Sequence, residues 1–363
     1  MFRTALGVAA ATILVMATGW TQQAPATGPY KILRAAKVGG DGGFDYVNVD
    51  VEGRRLYLAR RSTPPQISVY DLDTLEKVGE VPMTGAHGAV IDHKSGLGFA
   101  TSTPVTMFDI RTLLPIRKID TKGNPDGAFF DPFNETAYIL SHPSPNVTAI
   151  NGRDGSILKS FDLGGAPQQA ASDGAGHVYI DVAELNGIEV VDAKTLTVTG
   201  HYDLAAKARG CGGLGMDAKN HILFAACHNP ASMVMLNSDT GRILDTVPIS
   251  PDNDGMVFNP NTLEAFSSGD GGTLSIVKEV SPTSFVLEQD LPTMPGAKTC
   301  ALDTKTNHVI LISAEFGAAP NAGNGNAGNG NAGKDGEKGG RGRGGAAKGQ
   351  VLPGTFTILM VGK

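Results

Sequence analysis

The segment LYLARRSTPPQISVYDLDTLEKVGEVP (residues 56–82) alternates short apolar runs with turn-forming residues. It contains LYLAR (56–60), a loop with two prolines, ISVYD (67–71), a turn that begins at Asp71, and LEKVGEV (75–81). Short runs that are rich in β-branched and aromatic residues and bounded by proline, glycine or aspartate are typical of strands. The segment therefore predicts three consecutive strands rather than a helix.

The same unit recurs along the whole chain. A short strand that ends in an acid or amide precedes each unit, and these strand-ending residues are Asp50, Asp92, Asp131, Asp173, Asp217, Asn259 and Asp303. Their successive spacings are 42, 39, 42, 44, 42 and 44 residues. This period fits one four-stranded propeller blade of roughly 40–45 residues. The sequence therefore predicts seven blades.

The seventh repeat has no fourth strand after FTILM (356–360). The segment YKILRAAKV (30–38), which precedes the first full repeat, has the character needed to supply that strand. Such an exchange would close the ring and remove the free sheet edges that invite aggregation. We therefore predict an all-β fold over residues 30–363, a seven-bladed β-propeller whose ring is closed by the N-terminal strand completing the last blade.

Two further repeats, VYIDVAELNGIEVVDAKTLTVTGHYDL (178–204) and ILFAACHNPASMVMLNSDTGRILDTVPI (222–249), share this pattern with residues 56–82. Together they resemble the YVTN-repeat (YncE-like) seven-bladed β-propellers, and the resemblance covers essentially residues 30–363. That family is more distantly similar to the propellers of methylamine dehydrogenase heavy chains, streptogramin lyase and bacterial lactonases. The resemblance therefore implies a fold but no single activity.

Composition limits the class of protein. The 363 residues include 48 glycines and are 41% hydrophobic but only 18% charged, which favours a large core with many tight turns over wholesale disorder. The net charge of −6 argues against a dedicated duplex-DNA binder. A chain of this length suggests two domains, but an all-β architecture can form one.

Residues 1–26 have the pattern of a secretory signal peptide. Arg3 is followed by a largely apolar run from Ala5 to about Ala17 and then by small and polar residues. No other stretch is long and apolar enough to cross a membrane. We therefore expect a periplasmic or extracellular protein without a membrane span once the signal is removed, and an uncleaved membrane anchor is the alternative.

The chain contains three cysteines. Cys211 and Cys227 flank a predicted hairpin turn at 217–220, so they would lie opposite each other on two antiparallel strands. They form either a disulfide, as an oxidising compartment permits, or a pair of small core residues. Cys300 lies in an apolar strand, and we expect it to be buried.

A ring of polar residues is expected at one mouth of the central channel. In a propeller, the innermost strand of each blade starts on the same face as the loop between its second and third strands. The position five residues before each strand-ending acid therefore lines this mouth, where the sequence has Asp45, His87, Asp126, Gln168, Gly212, Asp254 and Lys298. The loops of the same face add Arg60, Arg61, His142, Glu184, His228, Asp270 and Glu315. So many polar side chains are untypical of a core.

The polar mouth can be interpreted without any chemistry, as a solvated entrance to a water-filled channel. A metal site is the second interpretation, in which His87, His142 and His228, with Asp126 or Asp254, bind Zn, Mn or a hard divalent ion. No other cofactor is predicted. The histidines come from different blades, and no short spacing such as H-x-H supports their ligation.

Acid–base catalysis is the third interpretation. One of the same three histidines would work beside the carboxylate of Asp45, Asp126 or Asp254, as in a hydrolase, lactonase or lyase. The sequence leaves open whether the protein is an enzyme.

Ligand recognition is the fourth interpretation and the one we expect. Guanidinium and ammonium groups bind carboxylate or phosphate, and the ligand-binding candidates are Arg60, Arg61, Gln168, Lys298 and Glu315. We therefore expect an exported binding or scaffold protein that presents its polar face to a small polar or anionic ligand or to another protein.

Residues 317–350 form a low-complexity Gly/Asn/Ala tract inserted into the seventh blade. The tract cannot bury enough apolar surface to fold, so we expect a disordered loop. Its five basic and two acidic residues give a local charge of 5 − 2 = +3. The tract is either a basic flap that attracts nucleic acid or another polyanion to the polar face, or a tolerated insertion at a loop tip.

Overall fold

The computed structural model describes residues 27–318 and 349–363. Within these residues, seven four-stranded antiparallel sheets, the blades, form a ring. The predicted all-β seven-bladed propeller is confirmed. The signal peptide predicted at 1–26 and most of the tract predicted at 317–350 lie outside the described residues and stay predictions.

The strands follow the repeat seen in the sequence, innermost strand first. The N-terminal strand is β1 (Lys31–Lys37). Blade 1 contains β2 (Gly43–Asp50), β3 (Arg55–Arg61), β4 (Gln66–Asp71) and β5 (Lys77–Pro82). Blade 2 contains β6 (Ala89–Asp92), β7 (Leu97–Ala100), β8 (Val105–Asp109) and β9 (Pro115–Ile119). Blade 3 contains β10 (Pro125–Asp131), β11 (Thr136–Ser141), β12 (Asn146–Asn151) and β13 (Ile157–Asp162).

The remaining four blades continue in the same order. Blade 4 contains β14 (Pro167–Ser172), β15 (His177–Val182), β16 (Gly187–Asp192) and β17 (Thr197–Asp203), with a 3-10 helix at Ala183–Leu185. Blade 5 contains β18 (Arg209–Asp217), β19 (Ile222–Asn229), β20 (Ala231–Asn237) and β21 (Ile243–Pro248). Blade 6 contains β22 (Asn253–Asn259), β23 (Glu264–Gly269), β24 (Thr273–Ser281) and β25 (Ser284–Pro292). Blade 7 contains β26 (Cys300–Asp303), β27 (His308–Ser313), β28 (Thr357–Gly362) and β1.

Apolar side chains hold neighbouring blades together. Successive side chains of a strand point to opposite faces, so Val178 and Ile180 of β15 pack toward blade 3 while Tyr179 packs toward blade 5. In the described part of the chain, one apolar cluster fills each of the seven seams between blades. The same residues contain no helix long and apolar enough to cross a membrane.

The ring is closed by β1, as predicted. It pairs antiparallel with β28, from Lys37 opposite Thr357 to Lys31 opposite Gly362. Tyr30, the residue before β1, forms two hydrogen bonds with the side chain of Gln289 in blade 6. Its N–H donates to Oε1 and its carbonyl oxygen accepts from Nε2, at 2.9 Å each. The N-terminal strand therefore completes blade 7 and also fastens it to blade 6.

Several strand-ending acids bind the turn of a neighbouring blade. Arg54, in the turn between β2 and β3, donates hydrogen bonds of 2.9 and 2.8 Å to the two carboxylate oxygens of Asp303 in blade 7. In the same way, Nε2 of His93 in blade 2 contacts the carboxylate of Asp50 in blade 1. The acids that mark the period of the sequence thus also join the blades.

The two cysteines that the sequence left open form a disulfide. Cys211 and Cys227 are opposite each other in the register of β18 and β19, and both are fully buried. Cys300 is a buried free thiol, as predicted, and burial raises its pKa to about 11.

Asp181 is an exception to the apolar packing of blade 4. Its side chain is fully buried, and neither of its carboxylate oxygens has a hydrogen-bond partner. Its cross-strand neighbour Ile188 belongs to the apolar cluster between blades 4 and 5, so Asp181 faces that cluster too. Burial, reinforced by the charge of Glu184, raises the pKa of Asp181 well above its usual value.

We expect Arg54→Ala to destabilise the ring. The side chain of Asp303 is only 2% exposed, and leaving a buried carboxylate without its cation costs about 3–5 kcal/mol in the free energy of unfolding. Arg153→Ala is the matched control, because Arg153 is 72% exposed and its partner Glu135 keeps an ion pair with Lys94 when the arginine is removed. Urea unfolding followed by circular dichroism measures both variants, and equal effects would contradict the inter-blade role of Arg54.

Asp181→Asn should change how stability depends on pH. An aspartate in the unfolded chain ionises near pH 4, whereas the folded protein disfavours ionisation of Asp181, so the contribution of Asp181 to the stability of wild type falls as pH rises above about 4. Asparagine does not ionise, and the variant should therefore gain stability relative to wild type from about pH 4 to pH 7. Thermal unfolding across this range measures the difference. A difference that does not vary with pH would show that Asp181 does not resist ionisation.

Candidate functional site

Six ionisable side chains meet at one end of the central channel. We call them the mouth cluster, and they are Asp45, Arg61, His87, Asp126, Asp254 and Lys298. All except Arg61 occupy the position five residues before a strand-ending acid, and Arg61 is the last residue of β3. Because the blades repeat at nearly constant length, this position recurs at a similar height on each inner strand. The repeat thus brings together residues of blades 1, 2, 3, 6 and 7.

Asp45 is the centre of the mouth cluster. Its Oδ2 lies 3.0 Å from Nδ1 of His87 and accepts a hydrogen bond from Nη2 of Arg61. Its Oδ1 lies 3.8 Å from Nζ of Lys298. One carboxylate, whose side chain is only 8% exposed, therefore contacts all three cationic side chains of the cluster.

The other two carboxylates each contact one of these cations, and Asp126 meets His87 at the same ring nitrogen, Nδ1, that faces Asp45 and lies 2.8 Å from Nη2 of Arg61. Nδ1 of His87 lies 2.9 Å from Oδ1 of Asp126, and Nζ of Lys298 lies 2.9 Å from Oδ2 of Asp254. Arg61 has the most exposed side chain of the six, at 46%. The cluster is therefore buried at Asp45 and open to solvent at Arg61.

The contacts shift the proton affinities in the direction of full ionisation. Burial lowers the pKa of His87, but hydrogen bonds to Asp126 and Asp45 outweigh it and raise the pKa to about 9. Burial raises the pKa of Asp45, but the hydrogen bond from His87 and the charges of Lys298 and Arg61 bring it below its usual value. Burial opposes the charge of Lys298, whereas Asp254 and Asp45 raise its pKa above the ordinary value. These contacts therefore favour the charged forms of Asp45, His87 and Lys298 at neutral pH.

A metal ion fits this arrangement poorly. Within residues 27–318 and 349–363, Asp45, His87 and Asp126 are the only trio whose ligand atoms lie within 4.8 Å of one another. Arg61 and Lys298 already compensate Asp45. His87 would also have to lose a proton before it could ligate, because only the neutral ring binds a metal. The chemistry of the donor set favours a salt-bridge network over a metal centre.

His142 and His228 do not join His87 in one ligand set. Nδ1 of His142 lies 3.2 Å from Nε2 of Gln168, so these two candidates form a pair of their own between blades 3 and 4. His228 lies beside Gly212, where a Cβ would come within 3.7 Å of Nε2 of the histidine. The three histidines that the repeat places on one face therefore belong to three separate groups of side chains.

Arg60 and Glu315 are engaged outside the mouth cluster. The guanidinium of Arg60 is buried 3.7 Å above the ring of Phe356 and donates to the carbonyl oxygens of Gly39 and Asp41. Glu315 forms an exposed ion pair with Lys37 at 3.1 Å. Arg60 and Arg61 project to opposite faces of β3 because side chains alternate along a strand. Only Arg61 therefore reaches the mouth.

A cavity of about 410 Å³ lies inside the ring, one residue further along the inner strands than the cluster: Tyr46, Gly88 and Gly127 line it, and the side chains of the mouth cluster do not. All seven inner strands line it, and Tyr46 and Gln168 lie at its end near the mouth. Burial, reinforced by the charges of Asp126, Asp45 and Asp254, raises the pKa of Tyr46 well above its usual value. Tyr46 therefore lies where the cavity meets the carboxylates of the cluster.

Sequence reasoning missed Gln169. Its Oε1 accepts hydrogen bonds from the backbone N–H of Leu214 at 3.0 Å and of Met256 at 3.1 Å, and its Nε2 donates to the carbonyl of Met256 at 2.8 Å. It thus joins the inner strands of blades 4, 5 and 6 inside the channel. In the sequence, only one feature points to Gln169: it follows Gln168 in a strand whose other residues are proline, alanine and serine.

Comparison with known proteins supports the fold and nothing finer. No protein-family model and no curated protein sequence matches the chain. A chain in the crystal structure of the mitotic checkpoint complex is similar, with a TM-score of 0.66 and 12% identity over 82% of this chain and 96% of that one. A chain of Kuenenia stuttgartiensis hydrazine synthase is similar with a TM-score of 0.64 and 13% identity, over 75% of this chain and 92% of that one.

Asp45→Asn should lower the pKa of His87. The amide keeps the shape of the carboxylate but loses the negative charge that favours the imidazolium, so the pKa should fall below about 9. NMR titration of the His87 ring, assigned with a His87→Gln variant, measures the change. Glu315→Gln is the control, because Glu315 pairs with Lys37 outside the cluster. An unchanged pKa in the Asp45 variant would contradict the central role of this carboxylate.

Proposed function

We propose that the protein is an exported binding module that holds a small ligand with an anionic group at the mouth cluster. The observation that carries this proposal is the position of Arg61, which is fixed to the buried carboxylate of Asp45 while 46% of its side chain is exposed at the mouth. A rigid ring keeps these groups in place before the ligand arrives, and preorganisation of this kind lowers the cost of binding.

Arg61 is the residue we expect to meet the ligand first. Its guanidinium carries five N–H donors in a planar fork that matches a carboxylate or phosphate. It is anchored through Nη2 to Asp45, and nearly half of its side chain is exposed. His87 and Lys298 contact the same Asp45, and Asp126 and Asp254 compensate their charges.

A general-base role for His87 receives less support from the same contacts. A histidine whose pKa is about 9 is protonated at neutral pH, and a protonated imidazole cannot accept a proton as a general base. It can still donate a proton as a general acid or stabilise a negative charge. The cluster therefore suits retention of an anion better than proton abstraction.

Two features support the proposal of export to the periplasm or beyond. The sequence has an apolar run after Arg3 that is typical of a signal peptide. The disulfide between Cys211 and Cys227 suits an oxidising compartment. The repeats quoted above also lead us to propose kinship with the YVTN-repeat propellers.

Thermal shift with simple probes tests the binding proposal. Butanoate, inorganic phosphate and butylammonium are added to wild type at increasing concentration. We expect an anion to raise Tm, because a ligand at 100 times its Kd adds about 2.7 kcal/mol to the free energy of unfolding. Arg61→Ala should abolish this shift.

Arg153→Ala is the matched control for loss of an arginine. Arg153 is exposed in a pair with Glu135 outside the mouth cluster, so its variant should keep the full anion-dependent shift. An absence of any anion effect on wild type, or an equal shift in Arg61→Ala, would refute the proposal.

A further inference from the structure

We propose that the ligand is amphipathic, with a carboxylate head at Arg61 and an apolar portion inserted into the central channel. This inference rests on the proposed function, because it names the chemical class of the ligand held at the same mouth. It draws on a different part of the molecule, the wall of the channel beneath the cluster.

The channel is large enough for such a portion. Its cavity of about 410 Å³ lies within the range of about 300–1,000 Å³ that is typical of small-molecule sites. At the far end, a second cavity of about 420 Å³ shares Asn48, Val49, Ala128 and Phe129 with the first. An extended ligand therefore has space along the axis of the ring.

Large apolar side chains line the channel without being fully buried. They are half-buried residues of five different inner strands, namely Val49, Phe129, Met216, Val257 and Leu302. Side chains of this kind are usually buried in a core, and here each packs partly against an apolar cluster between blades and leaves part of its surface toward the channel. Release of water from that surface by an apolar ligand is favourable.

A few polar groups interrupt this wall. Asn48, Gln168, Gln169 and Ser172 also line the cavity. The amide of Gln169 is satisfied by the backbone of blades 5 and 6, so it does not require a ligand. Sites that are mostly apolar with a few placed polar groups are the common form of small-molecule pocket.

Tyr46 connects the apolar wall to the charged mouth. It follows Asp45 directly in β2, its backbone N–H donates to the carbonyl of His87 at 2.9 Å, and its side chain lines the cavity. A ligand whose head contacts Arg61 would have to pass Tyr46 for its remaining atoms to enter the cavity. The exposure of Arg61, which is greater than that of any carboxylate in the cluster, favours an anionic head.

Isothermal titration with butanoate, hexanoate and octanoate tests the inference on the mature chain. Each methylene buried in the channel should tighten binding about fourfold, so each step of two methylenes should tighten it about 15-fold. Octylammonium has the same tail with the opposite charge and should bind more weakly than octanoate.

Val257→Thr tests the channel wall with a side chain of nearly the same shape. The added hydroxyl should weaken octanoate binding roughly 2- to 30-fold and leave butanoate binding nearly unchanged. Val286→Thr is the matched control, because Val286 is 47% exposed on the outer strand β25. Met216→Gln, which keeps the length of the side chain, is the second variant if the first does not fold.

The outcomes separate the two proposals. Butanoate binding that depends on Arg61 but does not strengthen with chain length overturns this inference and leaves the proposed function intact. Failure of every carboxylate to bind overturns both. Tighter binding of octylammonium than of octanoate, or equal losses in Val257→Thr and Val286→Thr, also overturns the inference.

Discussion

The pairing of β1 with β28 is the interaction on which the rest of the molecule depends. Each blade buries its two faces only against its neighbours, so the seams stabilise one another only in a closed ring. The pairing supplies the outer strand of blade 7, and Tyr30 carries the connection into blade 6 through Gln289. Closure of the ring fixes the position of every inner strand along the ring axis. The mouth cluster forms because equivalent residues of these strands lie at similar positions along that axis.

The mouth cluster compensates a buried charge with several partners. A lone carboxylate as little exposed as Asp45 would be costly to ionise, but Arg61, His87 and Lys298 approach it from three blades. Each of these contacts joins different parts of the chain, except that Arg61 and Asp45 share blade 1. The charges therefore require the ring geometry, and they also constrain how the blades are placed around the axis.

The period of the sequence was sufficient to predict the fold and the shared height of Asp45, His87, Asp126, Asp254 and Lys298. It could not predict side-chain direction, and for that reason it treated Arg60 and Arg61 as a pair although alternation sends them to opposite faces. The period also led us to group His87, His142 and His228 as possible ligands of one metal ion, although they come from different blades. The bridge made by Gln169 and the burial of Asp181 depend on tertiary contacts between blades, which have no local signature.

The charged residues of the mouth occupy only part of its rim, because Gly212 and Gln168 take the equivalent positions in blades 5 and 4. Blades 1, 2, 3, 6 and 7 supply charged groups to the rim, whereas blades 4 and 5 supply Gln168 and Gly212 at the same height. The rim is consequently a charged arc facing a neutral one, with His142 and His228 beside the neutral residues. A molecule entering the ring meets unlike surroundings on its two sides, so a ligand with one polar and one apolar side would be held in one orientation about the ring axis.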